Sequence, residues 1–153
     1  MIIKSYYLEN KIDSIVDKKI YLFYGENIGL KKEFKLKLKN IYKKAENLHL
    51  LQDEIIKDRS ILANEILNKS LFEERKIIFV DQVNDKTLEI IEEIEHYIQD
   101  ERIFLFADIL DKKSQIRSYF EKSKINGITA CYKDDENTIK NLITKKLNGF
   151  QGL

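Results

Sequence analysis

Three stretches of this chain are apolar at consecutive positions: IYLFY at 20–24, KIIFV at 76–80 behind its lysine, and RIFLFA at 102–107 behind its arginine. A strand with one wet face alternates apolar and polar residues. A strand that does not alternate needs cover on both faces, which is the habit of parallel sheets flanked by helices. GITACY at 127–132 and the weaker NLHLL at 47–51 bring the predicted strands to five.

Amphipathic stretches lie between them. Residues 30–44 place Leu30, Phe34, Leu38, Ile41 and Tyr42 on one helical face. Residues 58–69 do the same with Ile61, Leu62, Ile66 and Leu67. In 86–99 the stripe is Leu88, Ile91, Ile94 and Ile98, with a solvated acidic face opposite. In 112–122 it is Ile116 and Phe120, and a last helix is predicted at 135–148, its start capped by Asp134 or Asp135. Five β–α units in succession predict an α/β fold, a five-stranded and mostly parallel sheet with helices on both faces. The length of 153 residues suits one such domain. No linker rich in Pro, Gly or Ser and no repeat interrupts it. The final NGFQGL, 148–153, reads as the first residues of a further segment.

Composition narrows the function classes. A net charge of +1 argues against wholesale wrapping by nucleic acid or attachment to an acidic membrane. One cysteine, Cys131, leaves no internal disulfide and fits a reducing compartment. No apolar run approaches the roughly 18–20 residues of a membrane span, and MIIKSYYLENK lacks the features of a signal peptide. A cytoplasmic protein is expected.

The catalytic motifs that this architecture usually carries are incomplete. A phosphate loop, G-x-x-x-x-G-K-[ST], follows the first strand in nucleotide hydrolases. Here Gly25 opens it and Lys31 holds the lysine position, but Leu30 replaces the second glycine. Lys32 stands where a hydroxyl would hold magnesium. KIIFV runs into Asp81-Gln82, where a hydrolytic ATPase needs an acidic pair, and Gln82 cannot accept a proton. The fourth strand ends in Ala107-Asp108 in place of a polar sensor. A phospho-receiver domain is a rival with five β–α units, with Asp81 as acceptor and Lys133 after the fifth strand. It would need an acidic pair after the first strand, where this chain has Tyr24-Gly25-Glu26. His49 and His96 are isolated, and no Cys/His/Asp group has metal-ligand spacing. The helix with Lys31, Lys32, Lys35, Lys37, Lys39, Lys43 and Lys44 reads either as a solvated face or as a surface for phosphates.

Leu71 and Phe72 are the odd pair. They sit among Lys69, Glu73, Glu74, Arg75 and Lys76, just before the clearest strand. They either close a helix against the sheet or wait exposed for a partner.

YLFYGENIGLKKE, then SLFEERKIIFV about 50 residues on, then FLFADILDKKSQIRSYFEK, resemble in order and spacing the N-terminal domain of the delta subunit of bacterial DNA polymerase III. That subunit belongs to the clamp loader and opens the sliding clamp. The resemblance covers residues 20–153 and implies an AAA+-like, P-loop-NTPase-like first domain that has lost its nucleotide site. Residues 1–147 would be that domain, and 148–153 the start of a lid domain. It implies no cofactor, no metal and no intrinsic activity, only a non-catalytic subunit of a DNA-directed DNA polymerase holoenzyme. The implied partners are the sliding clamp (beta subunit), other loader subunits through further C-terminal domains, and DNA only indirectly; the domain by itself is expected to be monomeric. Leu71 and Phe72 become clamp anchors, with Ser70 beside them and Leu67 in support. Lys69 departs from the pattern, where apolar residues occur. The charges at 73–76 would keep the pair soluble. The alternative is a degenerate P-loop protein that binds nucleotide or nucleic acid through Lys31 and its helix.

Overall fold

Consecutive apolar residues become buried strands where helices cover both sides of them. In the computed structural model, which describes residues 1–68 and 75–133, the strands are β1 (Ile20–Tyr24), β2 (Glu46–Leu51), β3 (Lys76–Val83), β4 (Arg102–Ala107) and β5 (Gly127–Ala130). They form one sheet in the order β2-β3-β4-β1-β5, and every pairing is parallel. A receiver domain would have the doubly wound order 2-1-3-4-5. The strand order therefore excludes that rival.

Helices α1 (Ser5–Asn10) and α2 (Ile28–Ile41) cover one face. Helices α3 (Gln52–Lys57), α4 (Ser60–Leu67), α5 (Leu88–Ile94) and α6 (Gln115–Lys122) cover the other. Within the apolar runs, side-chain size alternates. Tyr21, Phe23, Phe79, Phe104 and Phe106 point to the α2 face, and Ile20, Leu22, Ile78, Val80, Ile103 and Leu105 to the other. Among the described residues, the face with fewer helices is thus lined by larger side chains. Its rings stack: Phe23 lies 5.4 Å from Phe34 of α2 and 5.0 Å from Phe106, and Phe79 lies 5.6 Å from Phe104. Such contacts add to the area that each ring buries.

Several elements differ from expectation. α2 begins earlier, at Ile28, because the Asn27 side chain accepts from the Leu30 N–H at 3.0 Å and caps it. The predicted helix over 86–99 is α5 flanked by two 3-10 turns, Asp85–Thr87 and Glu95–Tyr97. The second turn swings Glu95 inward. It is buried and accepts from the Tyr119 hydroxyl and the Asn126 amide, so it does not belong to the solvated acidic face. Helices α1 and α3 were not anticipated, and β3 continues three residues beyond Val80. The helix at 135–148, its caps and residues 148–153 lie outside the described residues.

The N-terminus of α6 is tied to the turn after β3. Asp85 Oδ1 accepts from the Ser114 hydroxyl at 2.6 Å and from the Ile116 N–H at 3.1 Å. Partial burial works against the charged form of Asp85, but these bonds and one from Gln115 outweigh it and hold its carboxyl below the ordinary value. A depressed carboxylate stabilises the fold above its unfolded value of about 4, and that contribution disappears as pH falls through the folded value. Asp85→Asn should therefore be less stable than the wild type near neutral pH, and the gap in urea midpoint should close in acid. On the aromatic face, Phe104→Ala should lower the unfolding free energy by about 3–5 kcal/mol, measured by the same titrations.

Candidate functional site

β1 and β4 are neighbours, but the chain leaves them in opposite directions. After β1 it enters α2 on one face, and after β4 it enters α6 on the other. Parallel sheets open a crevice at such a divergence, beyond the carboxyl ends of the strands. Here that place holds a cavity of about 400 Å³, lined by Ile28, Lys31, Lys35, Asp81, Phe106 and Asp108, among others. It is where a nucleotide would sit, and the chain's own groups occupy its polar positions.

The turn after β1 is three residues long, 25–27. Gly25 has φ +118°, and a Cβ there would lie 2.2 Å from the Cys131 carbonyl oxygen, so only glycine fits. Its N–H donates to the Asp108 carbonyl at 2.8 Å, and the Asn27 N–H donates to the Cys131 carbonyl at 3.0 Å. With Leu30 N–H bonded to its cap, donors that a phosphate loop would aim at an anion are spent inside the protein. Lys31 lies within α2 and is buried. Its ammonium donates to the Ala107 carbonyl at 2.9 Å and reaches Asp108, which is largely exposed, at 3.4 Å. Lys32 lines the same cavity and is exposed.

The acidic-pair position is altered in the same manner. Asp81 meets the Lys35 ammonium at 2.7 Å, and that ammonium also stands 4.6 Å over the Phe106 ring. Gln82 sits in a bulge between Val80 and Val83 with φ +59°, a conformation that costs a non-glycine residue energy, and its side chain is exposed. The basic helix is likewise turned inward in part. Lys39 stands 5.8 Å over Phe79, and Lys37 donates to the Glu9 carbonyl at 2.7 Å. The helix ends at Ile41, so Lys43 and Lys44 lie beyond it, and with Lys31 and Lys35 four of its five lysines are engaged within the molecule.

The remaining singletons have structural places. His49 stacks on Phe79 at 5.1 Å, and burial together with Lys39 and Lys35 lowers its pKa. Burial pushes the Cys131 thiol up to about 12, so it is unreactive. Among the described residues no group of three His, Cys, Asp or Glu could hold a metal, and no helix is long and apolar enough to cross a membrane.

Of the residues assigned to partner contact, Leu67 ends α4 and is 61% exposed, a large apolar side chain left in water. Ser70, Leu71 and Phe72 lie outside the described residues, as do Lys69, Glu73 and Glu74. The two charges that follow do not act merely as solubilising groups. Lys76 is buried, and its ammonium lies 3.0 Å from the Glu65 carbonyl, 2.5 Å from the Asn68 carbonyl and 3.2 Å from Glu65 Oε2. Arg75 Nε donates to the Asp100 carbonyl at 2.5 Å, and its guanidinium lies 5.2 Å over Tyr42. Only the position of Lys76 at the head of an apolar run hinted at this in the sequence.

No family model matches the sequence, and no curated protein matches it. Among solved structures, the Bacillus subtilis DNA clamp loader delta protein (YqeN) superposes with a TM-score of 0.66 at 13% identity. The match covers 96% of this chain and 48% of that one, so the chain spans about half the length of its structural neighbour. The five-stranded parallel α/β fold matches that of the superposed part of that protein.

Filling of the crevice by Lys31 predicts a structural role for this lysine. Lys31→Met should cost about 1–3 kcal/mol of stability, since the Ala107 carbonyl loses its buried partner. Calorimetric titration of the wild type with Mg-ATP should show no saturable heat.

Proposed function

We propose that this chain is the first domain of a clamp-loader delta subunit. It binds the sliding clamp through Leu71 and Phe72 and helps to open the ring for loading onto primed DNA. The observation that carries the reading is the fold match over 96% of the chain to a clamp loader delta protein. It is supported by an exposed Leu67 at the end of α4, four positions before Leu71 in the sequence.

The mechanism is binding without catalysis. Two large apolar anchors, each worth about 1.5–3 kcal/mol when buried, would seat in a pocket of the clamp, with surrounding charges as a wet rim. The domain shifts the clamp toward a form with one interface loosened only by its difference in affinity for the two forms. ATP acts on other subunits of the loader, whose phosphate loops are intact. Contacts to those subunits belong to further C-terminal domains, DNA is reached indirectly, and the protein works in the cytoplasm.

Titration of the sliding clamp from the same species tests this reading. Wild-type protein should bind saturably, and Leu71→Ala/Phe72→Ala should weaken binding by about 3–6 kcal/mol, two to four orders of magnitude. Unchanged affinity in the double variant would remove the anchor assignment.

A further inference from the structure

We propose that the cavity beside the end of α2 is an oxyanion site, which takes a phosphate group through Tyr42, Lys43, Lys44 and Arg75. The proposal is independent of the clamp-binding reading. The cavity measures about 340 Å³ and is lined by Ile41, Tyr42, Lys43, Lys44, Ala45 and Arg75, three cations and no carboxylate. It lies where α2 ends and β2 and β3 begin, at the opposite end of the sheet from the crevice. Tyr42 is 6% exposed, and its hydroxyl is a buried polar atom with no hydrogen-bond partner. Such an atom lowers stability unless something bonds it. Burial raises its pKa in spite of the guanidinium charges of Arg75 and Arg102, so the hydroxyl keeps its proton and can donate.

The cations have donors to spare. Arg75 lies 5.2 Å over the Tyr42 ring, and its Nε is bonded to the Asp100 carbonyl, but its two terminal nitrogens have no partner among the described residues. Lys43 and Lys44 are exposed and equally unpaired among those residues. The Tyr42 and Ala45 carbonyls, which would repel an anion, are occupied by the Asn47 amide at 3.2 and 3.0 Å. Lysines at the end of a helix also complement its dipole, which accounts for Lys43 and Lys44. It does not account for the unbonded hydroxyl or for a second guanidinium. Arg102 opens β4, and burial and then Arg75 lower its pKa, with Tyr42, Asp100 and Asp17 acting the other way. Like charges drawn together beside an unbonded donor are an arrangement that an anion relieves. Four donor-bearing side chains suit the three free oxygens of a phosphate ester better than the two of a carboxylate. The phosphate belongs either to a nucleic-acid backbone or to a small molecule.

The test is titration of the chain with sodium phosphate, against sodium chloride at equal ionic strength, read by thermal midpoint and by NMR. Phosphate should bind saturably and raise the midpoint. Tyr42→Phe should bind it about tenfold more weakly, yet without phosphate be at least as stable as the wild type, because the unbonded hydroxyl is gone. Lys43→Gln/Lys44→Gln should weaken binding by a similar factor. Lys112→Gln/Lys113→Gln, the same loss of charge elsewhere on the surface, should leave it within about twofold. No saturation beyond that in chloride would overturn the proposal, as would wild-type affinity in either cavity variant. An equal loss in Lys112→Gln/Lys113→Gln would also overturn it, because the effect would then follow net charge. A short DNA duplex added to the phosphate-loaded protein identifies the source. Displacement of phosphate by the duplex, lost in Lys43→Gln/Lys44→Gln, assigns a nucleic-acid backbone. Retention of phosphate assigns a small phosphate-bearing molecule.

Discussion

The central strands have no face turned to water, and much of the molecule follows from that constraint. β1, β3 and β4 must be covered above and below, so each β–α unit sends its helix to one side or the other. Among the described residues the side with α1 and α2 carries fewer helices, and rings line its strands. Phe23, Phe79, Phe104 and Phe106 form a stacked layer under α2. The ridge Lys31, Lys35 and Lys39 of that helix lies along the layer, with two ammonium groups over aromatic faces. The basic helix is therefore part of the packing before it is a charged surface.

Two of the same lysines line the crevice at the strand ends. Lys31 reaches the end of β4 and Lys35 the end of β3, where a nucleotide hydrolase would hold phosphate and magnesium. Gly25 brings the turn against Cys131 and Asp108. The degraded motifs and the internal bonds agree. Of the positions that would serve a nucleotide, Lys31 ties α2 to the end of β4, while Lys32 and Gln82 remain exposed.

The strands and the aromatic core were legible because consecutive apolarity is a strong signal. The alternation of ring and aliphatic side chain in IYLFY and IFLFA was legible too, though its meaning depends on which face each helix takes. Lys31, Asp81 and Gln82, singled out by spacing, line one cavity at the strand ends, and Gly25 makes the turn after β1. Other features depend on distant residues. The break in 86–99 depends on Tyr119 and Asn126 drawing Glu95 inward. The early start of α2 depends on Asn27, whose side chain caps the helix from within a turn that has the spacing of a phosphate loop. Lys76 and Arg75 read as solubilising charges because charge pattern alone does not reveal a buried acceptor such as the Asn68 carbonyl.

A scaffold of this kind with a bound nucleotide has two conditions to choose between, loaded and empty. Here two lysines of α2 hold the ends of β4 and β3 from within the molecule, Lys31 on the Ala107 carbonyl and Lys35 on Asp81. Any displacement of α2 along the crevice would therefore have to carry those strand ends with it or break both bonds.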